Sequence, residues 1–389
     1  MTENRRLKVL RVVTVAECVP WHLGPILRAL KEKFEVTVAG DGVSRYASQY
    51  PGVCFVDIRI ARKADPLRDL IAAYEIYRLC RKISPDVVHS IMPKAGMISA
   101  VSSFLARVPV RLHTFTGQVW DTKKGIPRWI YRNLDMMIVW LNTSCLTDSP
   151  SQSRHLFQEG VHYKGRPLRV LGKGSLVGVD LQRFDADRLL RESPVSRMSL
   201  EIADNDFVVA YIARKSRDKG AFDMLRSFAQ ARKKRENLKL LYIGPDETEG
   251  KLDQLKFEEP ELFHGVLERG SVSNHEEYLA VSDLLCVPSY REGFGSIVVD
   301  AGAVGVPALG SKIKGLVDSI SDGETGLLFE AGDIIALSNL ICDLADDRHL
   351  LQELGSRAQA RVQTDFSSVV VGKRLSDFYQ EETKRAFQR

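Results

Sequence analysis

Short apolar runs alternate along this chain with longer segments whose apolar residues recur at helical spacing. The first run, Leu7-Lys-Val-Leu-Arg-Val-Val-Thr-Val15, predicts a strand. In the first half the pattern predicts strands at 7–16, 35–40, 53–58, 87–91, 110–115, 143–148 and 168–171. Helices are predicted near 23–33, 66–82, 95–106, 127–141 and 150–159. Strands that alternate with helices in this way form a parallel sheet covered on both faces.

The alternation then breaks. Gly172-Lys-Gly-Ser-Leu-Val-Gly178 is glycine-rich and 180–194 is polar. A new strand begins at Asp206-Phe-Val-Val-Ala-Tyr-Ile212. It is followed by helices at 219–234, 248–257, 274–281 and 296–304 and strands at 238–243, 262–266 and 284–287, with a helical tail from about 333. The predicted fold is α/β: two Rossmann-like doubly wound domains, 1–185 and 186–367, facing a cleft. Such sheets bind ligands beyond the carboxyl ends of their strands.

A chain of 389 residues accommodates two domains, and 44% apolar with 27% charged residues is a globular composition. No apolar run is long enough to span a bilayer, and the polar residues 1–6 lead straight into the first strand, so they do not read as a signal peptide. The six cysteines show no metal or redox spacing and read as buried thiols in a reducing compartment. The net charge of +5 is unevenly placed. Residues 1–190 hold 29 Lys and Arg against 17 Asp and Glu, or +12; residues 191–389 hold 26 against 33, or −7. A basic first half favours an anionic partner.

The chemistry concentrates in Ser289-Tyr-Arg-Glu-Gly-Phe-Gly-Ser-Ile-Val-Val-Asp300. Glu292 precedes Gly293, Phe294 and Gly295 at a predicted strand-to-helix turn, and Asp300 follows two helical turns later. The start of a helix offers unpaired N–H groups and a positive dipole end, which suit an anion, while the two carboxylates suit hydroxyl groups. A nucleotide-sugar carries both kinds of group. In Ala213-Arg-Lys-Ser-Arg-Asp-Lys-Gly220, Arg214 and Lys219 fall at a strand end and a helix start. Arg supplies a planar fork and Lys a point charge, so the pair can clamp a diphosphate and stabilise it as it leaves.

These two elements together resemble the retaining glycosyltransferases of family 4, which have the GT-B architecture of two Rossmann-like domains. The family's Gly-Arg-x(4)-Lys-Gly and Glu-x(7)-Glu elements match Ala213-Arg214 to Lys219-Gly220 and Glu292 to Asp300. Gly178-Val-Asp180 with Phe184, Val287-Pro-Ser289, Gly302 to Pro307 and Asp322-Gly-Glu-Thr-Gly-Leu-Leu328 agree as well. Two positions depart from the family: Ala213 replaces a glycine and Asp300 replaces the second Glu. The resemblance implies that Arg214 and Lys219 contact the donor diphosphate, that Glu292 and the amides of Gly293, Phe294 and Gly295 face the sugar and phosphates, and that Asp300 holds the ribose. It also implies that a final helix, about 368–389, crosses back to the first domain.

In the first domain, His113-Thr-Phe-Thr-Gly-Gln-Val-Trp120 ends a strand, and either His113 or Thr116 faces the donor sugar by that resemblance. Trp21 and His22, in the loop after the first strand, are its candidates for acceptor contact. Asp185-Ala-Asp187 and Asp204-Asn-Asp206 read as solvated turns, and with Arg214 and Lys219 supplying positive charge no metal or other cofactor is expected. Lys123-Lys-Gly-Ile-Pro-Arg-Trp-Ile-Tyr-Arg132, with Arg62, Lys63 and Arg68, mixes cations and aromatics as a segment resting on an anionic membrane does. No nucleic-acid-binding motif accompanies the charge.

The expectation is a cytoplasmic enzyme, peripheral on the inner face of the membrane. It would transfer a sugar, first an N-acetylhexosamine, from a UDP-sugar to a polyprenyl-diphosphate-linked saccharide. The alternatives are a nucleotide-sugar epimerase or hydrolase of the same fold, and a non-catalytic protein that binds phospholipid or nucleic acid.

Overall fold

The first strand, β1 (Lys8–Val15), sends alternate side chains into two different cores. Val9 and Val13 pack with Ile26, Leu27 and Leu375. Leu10 and Val12 pack with Ile76, Val88 and Ile98. Side chains of a strand alternate between faces, so two cores on one strand mean a sheet with helices on both sides. The computed structural model describes residues 5–61 and 65–388. Arg62 and Lys63 of the expected basic cluster lie outside the described residues.

After β1 come β2 (Glu35–Asp41), β3 (Cys54–Asp57), β4 (Val87–Ile91), β5 (Val110–Phe115), β6 (Ser144–Thr147) and β7 (Arg169–Val170). They form one sheet in the order β3-β2-β1-β4-β5-β6-β7, and every pairing in it is parallel. The second sheet contains β8 (Phe207–Ile212), β9 (Leu238–Ile243), β10 (Val266–Arg269), β11 (Leu284–Val287), β12 (Ala308–Ser311) and β13 (Gly326–Phe329). Its order is β10-β9-β8-β11-β12-β13, again all parallel. Strand order reverses beside β1 in the first sheet and beside β8 in the second, and a ligand crevice forms at such a reversal.

The chain divides into two compact units, Met1–Gly178 with Ser368–Arg389, and Val179–Ser367. The division falls ahead of Asp185 because Val179 already belongs to the second unit. Its N–H donates to the Phe366 carbonyl at 2.8 Å, and its side chain lies in one core with Phe184 and Phe366.

Several elements differ from the sequence pattern. The run expected as a strand at 262–266 instead forms a 3-10 turn, Pro260–Phe263, and the strand follows at Val266–Arg269. Pro260 at the start of the turn fixes φ, and Leu262 is drawn into the core. The helix expected from residue 219 begins at Ala221, after a 3-10 turn over Arg217–Lys219. Strands β12 and β13 were not anticipated; each is four residues long and lies between glycine-containing loops. Asp206, expected in solvent, is buried and closes a turn by accepting the Ala203 N–H at 2.9 Å. Asp185 caps the helix Ala186–Glu192. Of the six cysteines only Cys54 is exposed, and all are free thiols.

The helix Ser368–Phe387 packs on the helix Gly24–Lys33 of the first unit. Its Tyr379 reaches a charge buried in β1. Arg11 is 1% exposed, and its Nη1 donates to the Tyr379 hydroxyl at 2.6 Å. The same Nη1 lies 2.8 Å from His89 Nδ1. Burial, reinforced by Arg11 and His113, holds His89 far below its ordinary pKa, hence neutral. Its Nδ1 then accepts from Arg11, and its Nε2–H donates to Thr114 Oγ1 at 2.7 Å. The Nη1 of this buried guanidinium is thus met by two neutral acceptors, one of them on the last helix, while its Nε is buried without a partner.

Candidate functional site

The site of the second unit lies where β8 and β11 end side by side. After β8 the chain forms the loop Ala213–Gly220, which the fully buried Tyr211 holds from below: its hydroxyl donates to the Arg214 carbonyl at 2.9 Å. The loop closes at Gly220, which has φ +68°, and a Cβ there would stand 2.0 Å from the Pro288 carbonyl oxygen. Only glycine permits that approach, so this residue brings the loop after β8 against the loop after β11. Helix Ala221–Lys234 starts at Gly220 and helix Ser296–Ala303 starts at Gly295, so two helix N-termini adjoin the same loops.

Lys219 and Glu292 meet across this junction. Lys219 Nζ donates to Glu292 Oε1 at 2.6 Å, and Ser289 Oγ donates to the same oxygen at 2.9 Å. Both side chains are largely shielded from solvent, at 17% and 14% exposure. Arg214 pairs with Glu247 and, at 3.3 Å, with Asp218. Asp218 also receives Arg291 Nη2 at 3.2 Å and Ser216 Oγ at 2.6 Å. Burial pushes the Asp218 carboxyl up, but the Ser216 hydrogen bond and the two guanidinium groups hold it below its ordinary value. Burial likewise pulls Arg214 down, and its pairs with Glu247 and Asp218 more than compensate, leaving it above its usual value. The result is three cations, Arg214, Lys219 and Arg291, each turned toward a carboxylate. Arg and Lys side chains make charge-assisted hydrogen bonds to phosphate oxygens as well as to carboxylates.

The remaining residues separate by role. Phe294 is 2% exposed and its ring packs against Phe366, so only its backbone is available to a ligand. Gly293 and Gly295 flank it at the helix start. Asp300 lies within the helix and takes His275 Nε2 on its Oδ2 at 3.1 Å. His275 is in turn placed by Phe184, at 5.4 Å between rings, and by its neighbour Glu276, which Arg183 grips with two bonds of 2.7 and 2.6 Å. Arg291, Asp218, Glu247 and His275 were missed by the sequence reading. Asp218 and Arg291 sat inside the two motifs already quoted, flanked by residues of more familiar chemistry.

The first-unit candidates are placed differently from one another. His113 lies in β5 at 1% exposure, bonded from Nδ1 to Ser90 Oγ at 2.9 Å. A Cβ on Gly96 would be 2.5 Å from its ring, so the helix Pro93–Leu105 sits directly on it. Burial lowers its pKa to about 3, which makes it a neutral core group. Thr116 is half-buried, and its carbonyl accepts from Gln152 Nε2 at 2.8 Å. Trp21 is 54% exposed on the short helix Cys18–His22, and His22 beside it is half-buried, its pKa lowered to about 4 by desolvation.

Comparison with known proteins adds independent findings. Residues 193–361 match the family model "Glycosyl transferases group 1", and residues 8–142 match "Glycosyl transferase 4-like". The capsular polysaccharide biosynthesis glycosyltransferase CapM of Staphylococcus aureus is 28% identical over 373 residues, covering 96% of each chain. The UDP-Gal:alpha-D-GlcNAc-diphosphoundecaprenol alpha-1,3-galactosyltransferase of Escherichia coli is 22% identical, over 82% of this chain and 81% of its own. Among solved structures, Anabaena Alr3699/HepE in complex with UDP and glucose superposes with a TM-score of 0.77 at 19% identity, over 96% of this chain and all of that one.

Proposed function

This chain belongs to the glycosyltransferases of family 4, with the GT-B fold, and from that premise we propose that it transfers a sugar from a UDP-linked donor, with retention, to a polyprenyl-diphosphate-linked saccharide. The observation that carries this reading is the contact between Lys219 and Glu292 at the strand-order reversal, with Arg214 and Arg291 beside it. Cations gathered at two helix N-termini suit a diphosphate leaving group, and a carboxylate within reach of them suits the hydroxyls of the attached sugar. Related proteins support the substrate classes: the Escherichia coli relative is a UDP-Gal:alpha-D-GlcNAc-diphosphoundecaprenol galactosyltransferase, and Anabaena HepE is in complex with UDP and glucose.

In the proposed reaction the acceptor hydroxyl attacks the anomeric carbon from the side the diphosphate leaves. The anomeric C–O bond to the donor breaks as the new C–O bond forms, and the acceptor proton passes to the departing diphosphate oxygen. Lys219 and Arg214 exchange their carboxylate partners for the diphosphate. Glu292 orients the sugar hydroxyls, and Asp300 accepts from the ribose. An N-acetylhexosamine is the first donor to test. Of the first-unit candidates, Trp21, His22 and Thr116 have exposure that permits ligand contact, and the enclosed His113 supports the fold of β5 in this reading. Among the described residues no helix is long and apolar enough to cross a membrane, and the enzyme is proposed to work from the cytoplasmic side as a peripheral protein. Nucleotide release measured with and without polyprenyl-linked acceptor, over a panel of UDP-sugars, tests the proposal. Acceptor-dependent UDP release supports it, and conversion of the donor without acceptor supports an epimerase or hydrolase instead.

A further inference from the structure

The helix Gly125–Leu141 is turned inside out for a water-soluble protein. Its side chains Ile126, Trp129, Ile130, Met137 and Trp140 recur at helical spacing along one stripe, and that stripe is exposed: Ile126 by 74%, Trp129 by 63% and Trp140 by 76%. Its three charged residues are not on that face. Asp135 is buried and accepts the indole N–H of Trp120 at 2.7 Å. Arg128 pairs with Glu159 at 2.8 Å, and Arg132 is half-buried. A surface helix ordinarily shows the reverse arrangement, and an apolar stripe on the outside marks a contact with something apolar.

The stripe has company. The helices Pro66–Ile83, Pro93–Leu105 and Gly125–Leu141 pack side by side in one layer. Pro66–Ile83 exposes Leu67, Leu70, Ile71 and Tyr74 in its first half and three cations, Arg78, Arg81 and Lys82, with one carboxylate, Glu75, in its second. Phe104, at the far end of the middle helix, is exposed beside Trp140 at 6.3 Å between rings. Charge selects the occupant. Residues 93–141 contain seven Lys and Arg and two Asp; Asp121 is bonded to His155 at 2.8 Å and Asp135 points inward, so neither carboxylate is exposed. Lys123 lies 5.3 Å over the ring of Tyr131, and Lys124 is exposed beside it. Tryptophan, tyrosine and aliphatic side chains rimmed by cations fit the boundary between acyl chains and anionic headgroups.

We propose that the outer face of these three helices, centred on the Trp129–Trp140 stripe, is where the enzyme lies on an anionic lipid bilayer. This rests on the reading of the protein as a peripheral enzyme of lipid-linked acceptors and specifies the surface used.

The test is flotation of the full chain with phosphatidylcholine vesicles, with and without phosphatidylglycerol, comparing the wild type with the double variant Trp129→Glu, Trp140→Glu. The wild type is expected to float with the anionic vesicles, and less so with neutral vesicles or in high salt. The double variant is expected to lose about tenfold or more of that binding, while its UDP affinity and its transfer to a short-chain, water-soluble acceptor stay at wild-type levels. Equal flotation of variant and wild type, or no flotation of the wild type, overturns the proposal. So does a wild-type dimer in solution that the double variant converts to monomer without any vesicle binding, because a second copy then covers the stripe. Vesicle binding without transfer from any nucleotide-sugar would leave the membrane face standing and remove the enzymatic reading.

Discussion

Lys219 Nζ and Glu292 Oε1, 2.6 Å apart, join the loop after β8 to the loop after β11. Neither residue can be positioned without the other's loop, because Gly220 brings the two backbones into contact at Pro288. In the proposed reaction the cation is already at the junction, and the diphosphate takes the place of the Glu292 carboxylate on it.

Replacing Lys219 by Ala removes one of the cations assigned to the leaving group. A lost transition-state donor of this kind costs about 100- to 1000-fold in kcat. Steady-state kinetics with a saturating donor measures it, and near-normal turnover would show that Arg214 and Arg291 suffice.

Asp300 should affect donor binding more than chemistry. Hydrogen bonds to a charged group contribute about 1.5–3 kcal/mol, so Asp300→Ala should weaken UDP about 10- to 100-fold with a much smaller change in kcat. His275→Ala should give a milder loss of the same kind, since it leaves the carboxylate in place without its 3.1 Å partner. Calorimetric titration of UDP against both variants separates the two effects.

Asp135 makes stability depend on pH. Burial raises its pKa from 3.8 to about 7, against the hydrogen bond from Trp120 and assisted by Asp121. The folded state therefore binds a proton that the unfolded state has released between those values. Stability falls as pH rises from about 4 to about 7, and the loss is complete above the folded value. Asp135→Asn keeps an acceptor for Trp120 and removes this slope. The variant should gain up to about 4 kcal/mol above pH 7 and little below pH 4. Thermal melts across the range check it; an unchanged slope rejects the assignment.

Tyr379→Phe deprives the buried Arg11 of its 2.6 Å acceptor on the last helix. An unsatisfied buried polar group costs about 1–3 kcal/mol, and urea unfolding should report a loss of that size confined to the transition of the first unit.

The fold was legible wherever a strand was long and apolar. β1, β2, β5 and β8 are of that kind, and their alternation with helices carries the topology. β12 and β13 were not, since Ala308–Ser311 and Gly326–Phe329 are too short for a period to show. In the site, Arg214, Lys219 and Glu292 stood out because their spacing matches a known pattern. The partners that hold them, Asp218, Glu247 and Arg291, depend on which loops meet in space, and no local spacing encodes that. His113 illustrates the opposite problem: a histidine at a strand end looks functional in sequence, while burial under Gly96 makes it part of the core.

The first unit draws on two stretches of chain separated by the whole of the second. Its core joins Val9, Ile26 and Leu27 to Val371, Leu375 and Tyr379, so residues 5–178 cannot complete it alone. On a ribosome, the segment made first would wait, with that apolar surface incomplete, until Val179–Ser367 had been synthesised and Ser368–Phe387 had emerged. The second unit has all of its strands in one continuous stretch and can close before the first, so the order of folding would invert the order of synthesis.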